Sequence, residues 1–313
     1  MSLRYHAAGF LHWLRLLRRH GRPERVLHFN GGIGDQLLCS AVAREISRRG
    51  GTGLWLATTH PELFRDNPDV ELAFPASLDL VPWFRLAGTP IEPVRYAETV
   101  FAEDRDVPPT EPIIAALCRS AGLHGSVILR PWLPAVRRAV LTPRARQRVA
   151  VQSSVLTARY PMPNKQWPAE RWQAVAMTLT PQVELVQVGS PSDPRIEGAE
   201  DRRQPALLAT AAVLADCDLF AGPVGFLMHL ARAVDCPAVI VYGGREPPAI
   251  SGYACNTNLA TAPACSPCWQ YTRCDHARRC LMDIPAAAVS AAISTALKRA
   301  PARPLPAETY ELN

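Results

Sequence analysis

The stretch Leu219–Gly244, LFAGPVGFLMHLARAVDCPAVIVYGG, constrains the fold more than any other part of the chain. Leu219-Phe220 ends a buried apolar run, and Ala221 to Gly225 is a loop with two glycines. Phe226 to Val234 has apolar residues at helical spacing, and Pro237 to Tyr242 is a β-branched run that ends in Gly243-Gly244. The pattern predicts strand, tight loop, helix and strand in succession. A glycine loop that opens a helix directs N–H groups and the positive dipole end at one spot, which suits a phosphate. His229 lies one helical turn beyond Gly225, so its ring is expected to face that spot; a core histidine on an apolar helix face is the alternative.

The start of the chain repeats this order. Val26–Asn30 is a predicted strand, Gly31-Gly32-Ile33-Gly34-Asp35 a loop, and Gln36–Arg49 a helix with Leu37, Leu38, Ala41, Val42 and Ile46 on one face. The loop is GGIGD, not the GxGxxG of a dinucleotide fold, and no P-loop Lys-Ser/Thr follows. Asp35 is either a helix cap or a carboxylate held at the mouth of the sheet, free to accept a proton. Further strands are expected at Leu54–Thr58, Val70–Phe74 and Val127–Leu129, with a helix over Pro112–Ala121; between Pro75 and Pro109 the pattern weakens. Val149–Gln152 restarts the alternation. Trp167–Trp172 opens a helix with proline near its first turn, Val183–Val188 is a strand before Gly189-Ser190, and a helix over Ala206–Leu214 precedes the organising stretch. Repeated strand–helix alternation predicts parallel, doubly wound α/β sheets. A chain of 313 residues with 48% hydrophobic content is large enough for two such domains. Pro131–Arg148 is the expected linker, and ligands are expected at the carboxyl ends of the strands.

The formal net charge of +6 comes from scattered arginines and not from a lysine block. That favours anionic small molecules or a membrane surface; without aromatic–basic interleaving, no nucleic-acid partner is expected. Phe10–Leu17 is interrupted by His12 and Arg15, is too short to span a bilayer, and lacks the order of a secretory signal. With Arg15, Arg18 and Arg19 it forms either a basic amphipathic helix on an anionic membrane face or a helix packed on its own domain. A cytoplasmic protein with reduced cysteines is expected, with peripheral contact at the inner membrane as an option.

Cys39, Cys118, Cys217 and Cys236 sit in apolar patterns expected in the core. Cys265, Cys268, Cys274 and Cys280 follow C-x2-C-x5-C-x5-C spacing in a polar loop, with Cys255 as a spare. They read either as a structural Zn or Fe site or as free or paired thiols. The triplets Asp104-Arg105-Asp106 and Asp216-Cys217-Asp218 are expected to be turn or capping aspartates and not metal ligands.

Four segments then agree: GGIGDQLL at 31–38, NKQWPAERW at 164–172, AGPVGFLMHLARAVDCPAVIVYGG at 221–244 and CSPCWQYTRCDHARRCLMDI at 265–284. Together the chain resembles glycosyltransferase family 9, the ADP-heptose:lipopolysaccharide heptosyltransferase-like enzymes. The resemblance implies a GT-B fold, two Rossmann-like doubly wound domains facing a central cleft. Residues 1–140 would be the acceptor side and 149–284 the nucleotide-sugar side, with the Cys-rich loop at 255–280. The helix and tail at 285–313 would cross back to the first domain. By resemblance Asp35 is the general base, and Lys165 of the KxWP motif meets the donor's phosphates. Gly222, Pro223 and His229 match the donor loop and the helix behind it, and Gly189 and Asp193 lie toward the nucleoside. The family's Asp-Ser/Thr-Gly after Gly-Pro is Val224-Gly225-Phe226 here, so phosphate contact falls to backbone N–H groups, Lys165 and Arg159. The expected donor site is Gly34, Arg159, Lys165, Gly189, Asp193, Val224, Gly225, His229, Gly243 and Gly244.

The implied activity is inverting transfer of a heptose or related sugar from a nucleotide-diphosphate donor, ADP-heptose or another. The acceptor would be a hydroxyl of a glycan, a lipid-linked glycan or a protein, and no cofactor is required for transfer. The rival readings are a nucleotide-sugar epimerase or hydrolase of the same fold, and a non-catalytic sugar-nucleotide-binding module.

Overall fold

Strands buried on both faces need apolar residues at nearly every position, and the runs VLHF, LWLAT and AVIVY supply them. A computed structural model describes residues 3–29, 31–76, 79–136, 144–157, 161–299 and 304–313, without the side chains of 3–7. Helix α1 (Leu3–His20) precedes β1 (Arg25–Phe29), α2 (Ile33–Arg48), β2 (Leu54–Thr58), β3 (Leu72–Pro75), α3 (Val81–Leu86) and β4 (Ile91–Val94). These strands form a parallel sheet in the order β3-β2-β1-β4. An antiparallel hairpin of β5 (Glu98–Val100) and β6 (Arg105–Val107) follows, then α4 (Ile113–Ser120) and β7 (Gly125–Ile128).

The second sheet is built by β8 (Arg148–Val151), α5 (Ala169–Leu179), β9 (Glu184–Gln187), β10 (Glu200–Asp201), α6 (Leu207–Ala215), β11 (Leu219–Pro223), α7 (Phe226–Ala233), β12 (Ala238–Tyr242), α8 (Pro248–Ser251) and β13 (Thr257–Ala260). Its order is β10-β9-β8-β11-β12-β13, parallel throughout. Helices α9 (Arg279–Met282) and α10 (Ala286–Arg299) and strand β14 (Thr309–Leu312) come last.

One apolar cluster crosses from one half to the other: Leu37, Leu38 and Ala41 of α2 share it with Leu227, Leu230 and Ala231 of α7. A second cluster places α5 and α10 on the outer face of the six-stranded sheet, through Trp172, Val175, Val289 and Ile293. The third holds α1 on the four-stranded sheet. Trp13, Leu16 and Leu17 pack on Val26, Trp55 and Phe84, and the rings of Phe10 and Trp83 lie 4.9 Å apart. Of the two readings of this segment, the helix packed on its own half is the one observed, with Arg15, Arg18 and Arg19 exposed. Among the described residues no helix is long and apolar enough to cross a membrane.

Three expectations are corrected. The weak stretch after Pro75 holds a strand of the main sheet: β4 pairs with β1 alone, so Pro93, which lacks an N–H, sits on an edge where no donor is needed. β7 does not join the parallel sheet; it pairs antiparallel with β14. The last helix does not cross back, because α10 packs on α5, β11, β12 and β13. The crossing is made by β14, whose Leu312 is buried opposite Gly125.

Trp167 of the NKQWP motif is fully buried, donates its indole N–H to Ile284 O at 3.1 Å and meets Trp172 edge-on at 4.8 Å. Trp167→Ala is expected to cost about 3–5 kcal/mol in a denaturant melt, because it removes a filled core volume and a buried hydrogen bond together.

Candidate active site

The two glycine loops face each other. At Gly34, in the first turn of α2, an added Cβ would lie 3.4 Å from His229 Cδ2 and 3.5 Å from Phe226 Cα, so this position carries no side chain where α2 approaches α7. The loop before α2 is pinned to the end of β2 by buried Gln36, whose Nε2 donates to Gly31 O (3.2 Å) and Thr59 Oγ1 (2.8 Å), while its Oε1 accepts from Thr58 Oγ1 (2.5 Å) and Thr59 N (3.1 Å).

Asp35 stands at the third position of α2, half-buried, and its Oδ2 accepts the Gly32 N–H at 2.8 Å. The helix-cap reading and the reactive-carboxylate reading are therefore compatible. Burial pushes the Asp35 carboxyl above the ordinary range. The Gly32 amide and Lys165 pull it down, Glu246 pushes it up, and a hydrogen bond from the Tyr96 side chain pulls it down. Lys165 and Glu246 thus act on Asp35 from the opposite half across the cleft.

Lys165 ends the short helical turn Pro163–Lys165, and its Nζ pairs with Glu246 Oε1; both side chains are nearly buried. The turn sits against the end of β12, where a Cβ on Gly243 would overlap Asn164 O. Asn164 is itself buried. It donates from Nδ2 to Gln270 O and Arg273 O at 3.1 and 2.9 Å and accepts Arg278 Nε at 3.1 Å, so the motif's asparagine anchors the Cys-rich loop.

Gly225 opens α7 at φ +158°, a conformation that suits glycine, and no side chain caps the helix there. Val224 is buried and gives its N–H to Val241 O at 3.1 Å, which leaves this loop's donor role to the amides from Gly225 onward. His229 is buried with Nδ1 2.7 Å from Tyr253 OH. Burial pushes its pKa down to about 4, against an upward pull from Glu246, so the ring is neutral near pH 7. Both readings of His229 hold in part: it lies in the apolar interior, beside Gly34 and under the influence of Glu246 and Lys165. It offers a neutral imidazole, not a cation.

Gly189 turns the chain after β9 at φ +127°, and Asp193 closes that turn: Oδ2 accepts Ser190 N at 3.0 Å and Oδ1 accepts Thr157 Oγ1 at 2.5 Å. Both carboxylate oxygens are engaged within the chain. Arg159 lies outside the described residues. Gly244 lies beside Cys280, whose Sγ would be 3.1 Å from an added Cβ.

None of the nine cysteines is joined in a disulfide. Cys268 and Cys274 are both close enough to act on Cys280. Cys274 Sγ accepts Arg278 N at 3.3 Å, and amides of Gly244 and Leu281 bond Cys280. Among the described residues, however, no three His, Cys, Asp or Glu side chains converge as metal ligands do.

The first aspartate triplet does more than cap. Asp104, at φ +54°, accepts Thr272 N, Thr272 Oγ1 and Arg273 N at 2.9, 2.8 and 2.8 Å, as a capping residue would. Asp106 is buried: Oδ2 accepts Arg245 Nη2 at 2.5 Å, and Oδ1 accepts Thr99 Oγ1 at 2.8 Å and the Tyr271 hydroxyl. The Arg245 guanidinium lies over the Tyr271 and Trp269 rings at 4.7 and 5.4 Å. In the second triplet Asp216 pairs with Arg144 and Arg148. Arg245, Glu246, Tyr96 and Asp106 were not among the expected site residues; the one sequence signal was the pair Arg245-Glu246 placed directly after the Gly243-Gly244 strand end. A groove of about 520 Å³ lies elsewhere, along the β2–β3 connection between Pro61 and Ala73, and contains none of the residues above.

Two parallel sheets with a cleft between their glycine loops define a GT-B architecture. Residues 144–276 match the model of glycosyltransferase family 9 (heptosyltransferase). Among solved structures, the iron-containing dodecameric glycosyltransferase TibC from enterotoxigenic E. coli H10407 is similar at TM-score 0.65 and 18% identity, over 88% of this chain and 77% of TibC. TibC has also been solved with ADP-D-beta-D-heptose. E. coli ADP-heptose lps heptosyltransferase II is similar at 0.63 and 13% identity, over 88% of this chain and 99% of the other. The family 9 glycosyltransferase of Veillonella parvula DSM 2008 is similar at 0.62 and 12%, over 90% and 99%. At these identities the likeness shows the fold. No curated protein matches the chain by sequence.

Gly243→Ala is expected to press on Asn164 and shift the Lys165 turn, costing about 1–3 kcal/mol in a denaturant melt and weakening ADP binding in calorimetry.

Proposed function

We propose that this protein transfers a heptose or a related sugar from a nucleotide-diphosphate donor of the ADP-heptose kind to a hydroxyl acceptor, with inversion. The observation that carries the reading is the cross-cleft grouping of Asp35 from the four-stranded half with Lys165 and the Gly225–α7 turn from the six-stranded half. Asp35 takes the proton of the acceptor hydroxyl as that oxygen attacks the anomeric carbon. A carboxyl raised by burial is a stronger base, and the Lys165 charge counters that rise in favour of the anion. The leaving diphosphate gathers charge as the glycosidic bond breaks, and the Lys165 ammonium and the α7 N-terminal amides stabilise it. His229, neutral and tied to Tyr253, adds a hydrogen-bonding ring to this wall without adding charge. The solved complexes of TibC with ADP-D-beta-D-heptose and of WaaC with ADP-2-deoxy-2-fluoro heptose support the choice of donor class.

The Cys-rich loop is read as a structural Fe or Zn site. Four thiols within a short loop suit a soft metal, and amide N–H groups are directed at Cys274 and Cys280. TibC is described as iron-containing, which supports iron. Cys265, Cys268, Cys274 and Cys280 would hold the metal, and its part would be to fix the loop against Asn164 and Arg245, with no step of the transfer assigned to it. Protein purified without a histidine tag is expected to carry about one equivalent of Fe or Zn; less than roughly a tenth of an equivalent of each would end this reading.

Asp35→Asn is expected to lower kcat for acceptor-dependent ADP release by about 10²–10⁴-fold, with ADP affinity by calorimetry little changed. Unchanged turnover would remove Asp35 as the base. ADP release that ignores the acceptor would favour a hydrolase.

A further inference from the structure

Consecutive residues at the end of β12 point to two different partners. Arg245 reaches into the β5–β6 hairpin of the opposite half, where it bonds Asp106 under the Tyr271 ring. Glu246 reaches Lys165 through Oε1, and its Oε2 lies 3.6 Å from Arg245 Nη1. Asp106, Arg245 and Glu246 are each about 97% buried. The four side chains form a buried alternating row, Asp106–Arg245–Glu246–Lys165, that begins in one half and ends at the diphosphate cation of the other. Lys165 is one of only two lysines in the chain, so this ammonium has little redundancy. A lysine on a flexible stem is a point charge with many rotamers, and a buried carboxylate at its tip restricts it to one.

We propose that Glu246 is a positioning residue for the transfer: held by Arg245, it fixes Lys165 in the cleft and sets the local charge that Asp35 meets from the other half. The proposal rests on Asp35 as the base. Asp35 is faced by Lys165 and Glu246 across the cleft and by Tyr96, the Gly32 amide and Cys39 on its own side. Glu246 is faced by Lys165, Arg245 and His229, with Tyr96 and Tyr242 also feeling its charge. Burial works against the Glu246 anion, yet Lys165 and Arg245 hold its carboxyl below the ordinary range. Its negative charge raises the pKa of Asp35, so its removal lets Asp35 ionise at lower pH.

The test is the pH profile of kcat/KM for acceptor-dependent ADP release in wild type, Glu246→Gln and Glu246→Asp. Glu246→Gln removes the charge and is expected to move the acid limb down by about half a pH unit or more while kcat falls about tenfold. Glu246→Asp keeps the charge but shortens the reach; its acid limb is expected at the wild-type pH, with kcat still reduced. A purely structural role would lower the melting temperature and leave the limb in place. A folded Glu246→Gln enzyme with an unmoved limb overturns the proposal; if that variant does not fold, an unchanged kcat in Glu246→Asp overturns it. The Asp35 carboxyl, titrated by ¹³C NMR without donor or acceptor, reads the same coupling independently of turnover. A lowered midpoint in Glu246→Gln with no sugar transfer by wild type would sink the transferase reading and leave the coupling intact. Identical midpoints would sink the coupling alone.

Discussion

Charges withdrawn from water between the two halves can persist only in company. Asp106, Arg245 and Glu246 are almost fully buried, and each is the reason the next can be. Desolvating any one of them alone would cost several kcal/mol, so the row is stable as a set and fragile as parts. This requirement places the β5–β6 hairpin against the Cys-rich loop, because Asp106 and Tyr271 complete the shell around one guanidinium. It also fixes the end of β12, from which Glu246 meets Lys165. An apolar interface, α2 on α7, runs alongside and brings the glycine loops together. The polar row adds direction to a contact that hydrophobic burial alone leaves free to slide.

Much of this was legible in the residues. Both glycine loops and the strand–loop–helix order, with Asp35 at a helix start, follow from local pattern, since parallel strands and amphipathic helices write their burial directly into sequence period, whereas Lys165 stands out only through the resemblance carried by its motif. Other features follow from tertiary context. β4 carries Pro93 and shows no alternation, because an edge strand needs neither a full ladder nor a buried face on both sides. The partner of β7 is not legible locally, since a four-residue run does not reveal whether its partner is near in sequence or at the far end of the chain. The sequence shows Arg245-Glu246 after a strand end and Asp106 in a triplet, but not their burial: a charged residue is usually solvated, and only the fold shows that these three are not.

The readings that seemed to compete at single residues prove to be compatible. Asp35 caps its helix with one carboxylate oxygen and still confronts Lys165. His229 is a core residue by burial and a cleft residue by its neighbours. The NKQWP motif shows the same economy: Asn164 ties down a loop, Trp167 fills a core, and only Lys165 between them is directed at the cleft. A functional side chain whose neighbours in sequence are structural keeps its place with little freedom to drift.

The pairing of β14 with β7 has a bearing on how the polypeptide matures. Thr309 leaves the ribosome about 180 residues after its partner Ile128. At roughly 5–20 residues per second the wait is ~10–40 s. Throughout that interval β7 has an open edge, while α2 and α4 nearby can already be packed. Closure of this corner is therefore a late event that the nascent molecule reaches only once its final strand has emerged, and until then the exposed backbone is a place for chaperones or for unwanted neighbours to bind.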